Sequence, residues 1–173
     1  MGLFTRKPPP PPPPPKYQLS FGEVPSDLDQ RERAFGASLA AFVSSPGAVF
    51  GYEESQAAVQ ASSHFFREGP VASAVLMRVA NDLIAGMRND RYEFDDVDRV
   101  MGVTGPQMAE AGLRRSEWGF TAGPVDAVKK AMGDIAQGRL HLIPLGDTNP
   151  SETHRLISTM LVAEARLKAS GKL

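Results

Sequence analysis

Pro70-Val71-Ala72-Ser73-Ala74-Val75-Leu76-Met77-Arg78-Val79-Ala80-Asn81-Asp82-Leu83-Ile84-Ala85-Gly86-Met87-Arg88 is the stretch that decides the fold. Ala72, Leu76, Val79, Leu83 and Met87 recur three or four residues apart, which places them on one face of a helix. Proline suits the first turn, where its missing N–H has no intrahelical partner to lose. Asn89-Asp90 closes the segment. A helix with one apolar face must bury that face against other elements.

The neighbouring segments supply such elements. Upstream, Ser26-Asp27-Leu28-Asp29 resembles a capping box with Asp in place of Glu. It starts a helix carrying Leu28, Phe35, Leu39 and Phe42, which Pro46-Gly47 stops. A second helix covers about Glu53 to Arg67, with Ala57, Val59, Phe65 and Phe66, and ends at Gly69. Downstream, a short helix from Asp95 to Met101 leads into a turn at Gly102 to Gly105 and a helix from Pro106 to Trp118. Gly119 and Gly123 bracket a loop, and Pro124 opens a helix with Val125, Val128, Met132 and Ile135 on one face. Gly138 follows its C-cap. Leu140 to Leu145 is the one stretch with extended character, confined to an edge by Pro144. Asn149-Pro150-Ser151-Glu152 starts a last helix bearing Leu156, Ile157, Met160, Leu161 and Leu167. His154 falls in its first turn, where an exposed position is expected. The prediction is all-α: a compact bundle of about six to seven short helices over residues 21–173, with residue 90 as the place where it would subdivide.

Residues 1–20 differ in kind. Pro8, Pro9, Pro10, Pro11, Pro12, Pro13, Pro14 and Pro15 stand between Arg6-Lys7 and Lys16. Proline fixes φ and offers no N–H, so the run adopts polyproline II, a rod of about 25 Å at ~3.1 Å per residue. The expectation is an extended polyproline N-terminal arm. Its Arg6, Lys7 and Lys16 have no acidic neighbour, whereas the remaining chain holds 16 basic and 20 acidic residues. The contrast is a rigid basic arm on a mildly acidic body.

Composition excludes several classes of function. Cysteine is absent, so there is no disulfide, thiolate metal site or cysteine nucleophile. The start has no apolar core of a signal peptide, and no apolar run is long enough to span a membrane. The expected location is cytoplasmic or within an assembled particle. His64, His141 and His154 are far apart and in no metal-ligand spacing. Phosphate-binding glycine loops and the nucleophile-elbow motif are absent. The expectations are no cofactor, no metal and no catalytic residue.

Two binding readings remain. Proline-rich rods dock into aromatic grooves at small entropic cost, and Arg6-x-x-Pro9-x-x-Pro12 and Pro11-x-x-Pro14-x-Lys16 fit the two orientations of such ligands. Any proline run with basic flanks produces these matches, so the composition equally suits a stiff spacer. Separately, residues 97–115 resemble a helix-turn-helix: Gly102-Val103-Thr104 forms the turn, and Thr104, Gln107, Arg114 and Arg115 face DNA. Against this, Glu93, Asp95, Asp96 and Asp98 would stand beside phosphate. The leading expectation is therefore a non-enzymatic structural or adaptor subunit of a virion, a secretion or conjugation machine, or another multi-subunit complex. It attaches to protein partners through Arg6 to Lys16. The alternative is a DNA-binding regulator using residues 97–115.

Overall fold

The computed structural model describes residues 17–139 and 150–173. The polyproline run, the Leu140–Leu145 stretch, His141 and the Asn149 cap lie outside the described residues. Eight α-helices are described: α1 (Leu28–Ser38), α2 (Ala40–Val43), α3 (Tyr52–Phe65), α4 (Gly69–Arg88), α5 (Phe94–Met101), α6 (Gly105–Glu110), α7 (Trp118–Ala136) and α8 (Pro150–Ala169). A 3-10 turn, Arg115–Glu117, precedes α7, and no strand occurs among the described residues.

The all-α expectation holds, and its centre is α8. This helix packs against α3, α4, α5 and α7. Ile157, Met160, Val162, Ala163 and Leu167 are fully buried on it. The α4 stripe read from the sequence lies in the same core: Ala72, Leu76, Val79 and Leu83 are buried and Met87 packs against them half-buried, and Val75 and Ala80 join them with no exposed surface. One hydrophobic cluster joins residues before and after position 90, from Phe35 to Leu167.

Several boundaries differ from the sequence reading. Asp27, not Ser26, caps α1, accepting the Gln30 N–H at 3.0 Å. The first helix is interrupted at Leu39, where ψ is 8°. Gly36 weakens this region, and the Ser38 hydroxyl bonds back to the Ala34 carbonyl at 2.9 Å. The helix expected from Pro106 to Trp118 stops at Glu110, because Gly112 takes φ 71° and turns the chain out. The expected loop at Gly119–Gly123 is helical, and Pro124 lies inside α7 rather than opening it. The buried side continues upstream through Thr121, Val125 and Val128, so burial outweighs the local breakers. A Cβ at Gly119 or Gly123 would meet nothing within 4 Å, so neither glycine is needed for close packing.

Five helices end with the same hydrogen-bond pattern. Gly102, Gly112, Gly138 and Gly171 take φ between 70° and 72° after α5, α6, α7 and α8. In each, the next N–H reaches back five residues, as from Arg139 to the Asp134 carbonyl at 2.7 Å. After α4 the same place is held by Asp90 at φ 56°, with Arg91 N–H bonded to the Gly86 carbonyl at 3.0 Å. An L side chain is strained in this region. Asp90→Gly is expected to stabilise the protein by about 0.5–1 kcal/mol. Thermal unfolding should show a midpoint raised by a few degrees.

Candidate functional site: an aromatic cleft supported by a buried arginine

The site is built on the loop of residues 44–51, which carries the chain from α2 into α3. This loop is clamped from below. Gly47 N–H bonds to the Val100 carbonyl at 2.8 Å, and Phe50 N–H to the Met101 carbonyl at 2.9 Å. Beneath it lies Arg166 of α8, with no exposed surface. Its Nε and Nη2 donate to the Phe42 carbonyl at 3.1 and 2.6 Å. Its Nη1 donates to Ala48 O at 2.5 Å and Val100 O at 3.1 Å. The planar fork of donors therefore ties three chain segments to α8. Burial pushes the guanidinium down to about 10, opposed by the Glu54 carboxylate and Tyr17. It remains charged at neutral pH.

Glu54 links this support to the start of the described chain. One of its oxygens accepts the Gly51 N–H at 3.1 Å, and the other accepts the Tyr17 hydroxyl at 3.0 Å. The bond to Gly51 satisfies a helix-end donor of α3. Tyr17 also packs on Phe42, with ring centroids 5.0 Å apart. Four residues on, Phe21 stacks on His64 at 5.0 Å and meets Phe65 edge-on at 6.2 Å. The His64 Nε2 lies 2.9 Å from the Gly22 carbonyl. Residues 17–22 thus run along α3, from its first turn to its last.

Above the loop, two large aromatic side chains face solvent. Tyr52 is 60% exposed and Phe120 is 66% exposed, whereas every other described aromatic side chain is buried or half-buried. They meet edge to face with centroids 6.3 Å apart. On one side of the pair lies a cleft of about 660 Å³, walled by Val49, Gly51, Ala111 and Leu113 and edged by Glu53, Glu54 and Glu117. On the other side is a cleft of about 610 Å³ between α3, α7 and α8, lined by Gln56, Pro124, Lys130 and Arg155 among others. The first cleft holds three carboxylates and no lysine or arginine in its lining. At its rim, Arg114 pairs with Glu117 at 3.1 Å.

The residues predicted for DNA contact lie at one corner of the fold. α5 ends at Met101 and α6 begins at Gly105, with Gly102 between them at φ 70°. The Thr104 hydroxyl donates to the Gln107 side chain. The Gln107 amide donates in turn to the carbonyl of Arg99 at 2.8 Å and that of Gly47 at 3.5 Å. Arg114 is ion-paired, and Arg115 is exposed at the start of the 3-10 turn. Asp96 pairs with Arg99 and Lys172, and Asp98 pairs with Lys129 at 2.8 Å. Gln107 therefore fastens the same loop that Arg166 supports. Residues Arg6 to Lys16 lie outside the described residues.

His154 departs from its expected exposure. It is 7% exposed, and its Nδ1 lies 2.9 Å from the Ser62 hydroxyl, which is fully buried. Burial without a carboxylate bond lowers its pKa below the ordinary 6.5. The unfolded chain then takes up this proton more readily than the folded one. Stability from this residue is complete above pH 6.5 and falls as pH drops below it, by at most about 1.4 kcal/mol per pH unit. Urea titrations between pH 7.5 and 5 should show a shallower loss for His154→Asn than for the unsubstituted protein.

Among the described residues, no cluster of three or more His, Asp or Glu is placed to hold a metal ion. Nor is any described helix long and apolar enough to cross a membrane. No protein-family model, curated protein or solved structure matches this chain.

Proposed function

We propose that the chain is a non-enzymatic structural or adaptor subunit of a larger multi-subunit assembly, attached through the basic polyproline arm of residues 1–16. A virion, a secretion or conjugation machine, or a comparable complex fits this role. The observation that carries the reading is the anchored root of the arm. Tyr17 is held by Glu54 and Phe42, and Phe21 by His64 and Phe65. Only Lys16 separates this anchor from Pro15. A proline rod fixed to the body at its base loses little conformational freedom when it docks, which is the physical advantage of preorganisation. A flexible Gly/Ser tether would lose that advantage.

The test places a photo-reactive residue at Phe4 in the full chain within its native cells. A discrete heavier adduct to another protein is expected, lost when Pro8–Pro15 is replaced by alternating Gly and Ser. Adducts confined to the chain itself, or unchanged by breaking the rod, contradict the proposal.

A further inference from the structure

We propose that the cleft beside Tyr52 and Phe120 is the seat of the chain's own polyproline arm, and that this contact sets the direction in which the rod leaves the body. The path of the described chain carries the argument. Tyr17 bonds to Glu54 at the first turn of α3, and Gly22 bonds to His64 at its last turn. The ten steps along α3 from Glu54 to His64 span about 15 Å. The four steps from Tyr17 to Phe21 span about 13 Å in extended form. Followed backward, the chain therefore travels along α3 toward its N-terminus. An arm continuing in that direction would head toward Gly51, Tyr52 and Glu53, which edge the cleft.

The chemistry of the cleft matches that occupant. Polyproline ligands pack their rings against exposed aromatic faces, because the rod is pre-ordered and apolar on each side. Tyr52 and Phe120 provide such faces, and Val49, Ala111 and Leu113 add apolar wall. Glu53 is exposed at the edge and carries charge opposite to Lys16. Sixteen residues precede Tyr17, and eight prolines alone reach about 25 Å. That length crosses the cleft and leaves the Arg6-Lys7 end beyond it. The proposal concerns the isolated chain and does not depend on an external partner.

The absence of cysteine allows a single label on the full chain. Pro11→Cys carries a nitroxide, and paramagnetic broadening of backbone amide signals is read by NMR. The amides of Glu53, Leu113 and Phe120 should broaden several-fold more than that of Asp82 on α4. The preference should vanish in a Tyr52→Ala/Phe120→Ala chain, and Glu53→Lys should weaken it. Both aromatic side chains are mostly exposed, so their removal leaves the core intact. Three results would overturn the proposal: broadening spread evenly over the body, broadening that survives the double substitution, or broadening transferred at full strength to an unlabelled second copy in a mixed sample. The last would place the arm on a neighbouring molecule instead. Loss of the external partner alone would leave this result unchanged, so the two proposals fail separately.

Discussion

Arg166→Met should destabilise the protein by about 2–6 kcal/mol, the scale for leaving two buried carbonyls unsatisfied at about 1–3 kcal/mol each. The guanidinium makes four hydrogen bonds to the carbonyls of Phe42, Ala48 and Val100. Methionine fills a similar volume and returns some hydrophobic stabilisation. It leaves the Phe42 and Ala48 carbonyls without this donor, while the Val100 carbonyl keeps the Gly47 N–H at 2.8 Å; each buried unsatisfied acceptor costs about 1–3 kcal/mol. Domains of this size are stable by only about 5–15 kcal/mol, so the variant should be partly unfolded or unfold at far lower denaturant. Arg166→Lys should be nearly as damaging. An ammonium donates from one point and cannot reach carbonyls on three separate segments as a fork does. Chemical denaturation showing either variant within about 1 kcal/mol of the parent would mean the carbonyls find other donors.

Gly102→Ala is the second large effect. Gly102 sits at φ 70°, where an L side chain is strained by about 1–2 kcal/mol. A methyl group there would also lie 2.7 Å from the Gly47 carbonyl oxygen and 2.8 Å from the Val49 backbone. These are backbone atoms of the loop that Arg166 holds, so they cannot swing aside as a side chain would. Crowding of this kind adds about 1–3 kcal/mol. The expected total is about 2–5 kcal/mol, with the loop of residues 44–51 pushed away from α5. Amide exchange should accelerate first at Gly47 and Phe50, whose N–H groups bond to α5 carbonyls. A loss below about 1 kcal/mol with unchanged exchange would contradict the close approach.

These two residues show where the sequence was legible. The α4 stripe was readable because Leu76, Val79 and Leu83 are apolar and evenly spaced. Helix ends were readable where glycine carries the left-handed turn, as at Gly102 and Gly138. Asp90 gave a weaker signal for the same geometry. The centrality of α8 was hidden, because Ser158, Thr159, Glu164 and Arg166 are polar yet buried on it. A polar residue in a helix reads as a solvated face unless its partners are known. Those of Arg166 are backbone carbonyls from positions 42, 48 and 100, which no local pattern marks.

Glu164 illustrates the same limit. Burial pushes its carboxyl up, but hydrogen bonds from Arg78 and Lys168 outweigh that and hold it below the ordinary value. Arg78 reaches it with two bonds of 3.0 and 3.1 Å and also pairs with Glu32 at 2.5 Å. The aromatic cleft was missed for a related reason. Tyr52 was not placed in any site, and Phe120 was assigned to a loop that is in fact the first turn of α7. Their pairing depends on α3 and α7 meeting, across 68 positions in sequence. The one available signal was a large aromatic residue directly after a glycine in each segment, Gly51-Tyr52 and Gly119-Phe120.

The central claim is that a stiff arm, rooted on the body at Tyr17, attaches this chain to its assembly. The most direct measurement is quantitative co-purification from the native source. It compares the full chain with one in which Pro8–Pro15 is replaced by alternating Gly and Ser, keeping length and cations. The account predicts that the intact chain recovers a fixed set of partners in constant ratio, and that the broken rod recovers them in greatly reduced amount. Equal recovery of the same partners by both chains would contradict it.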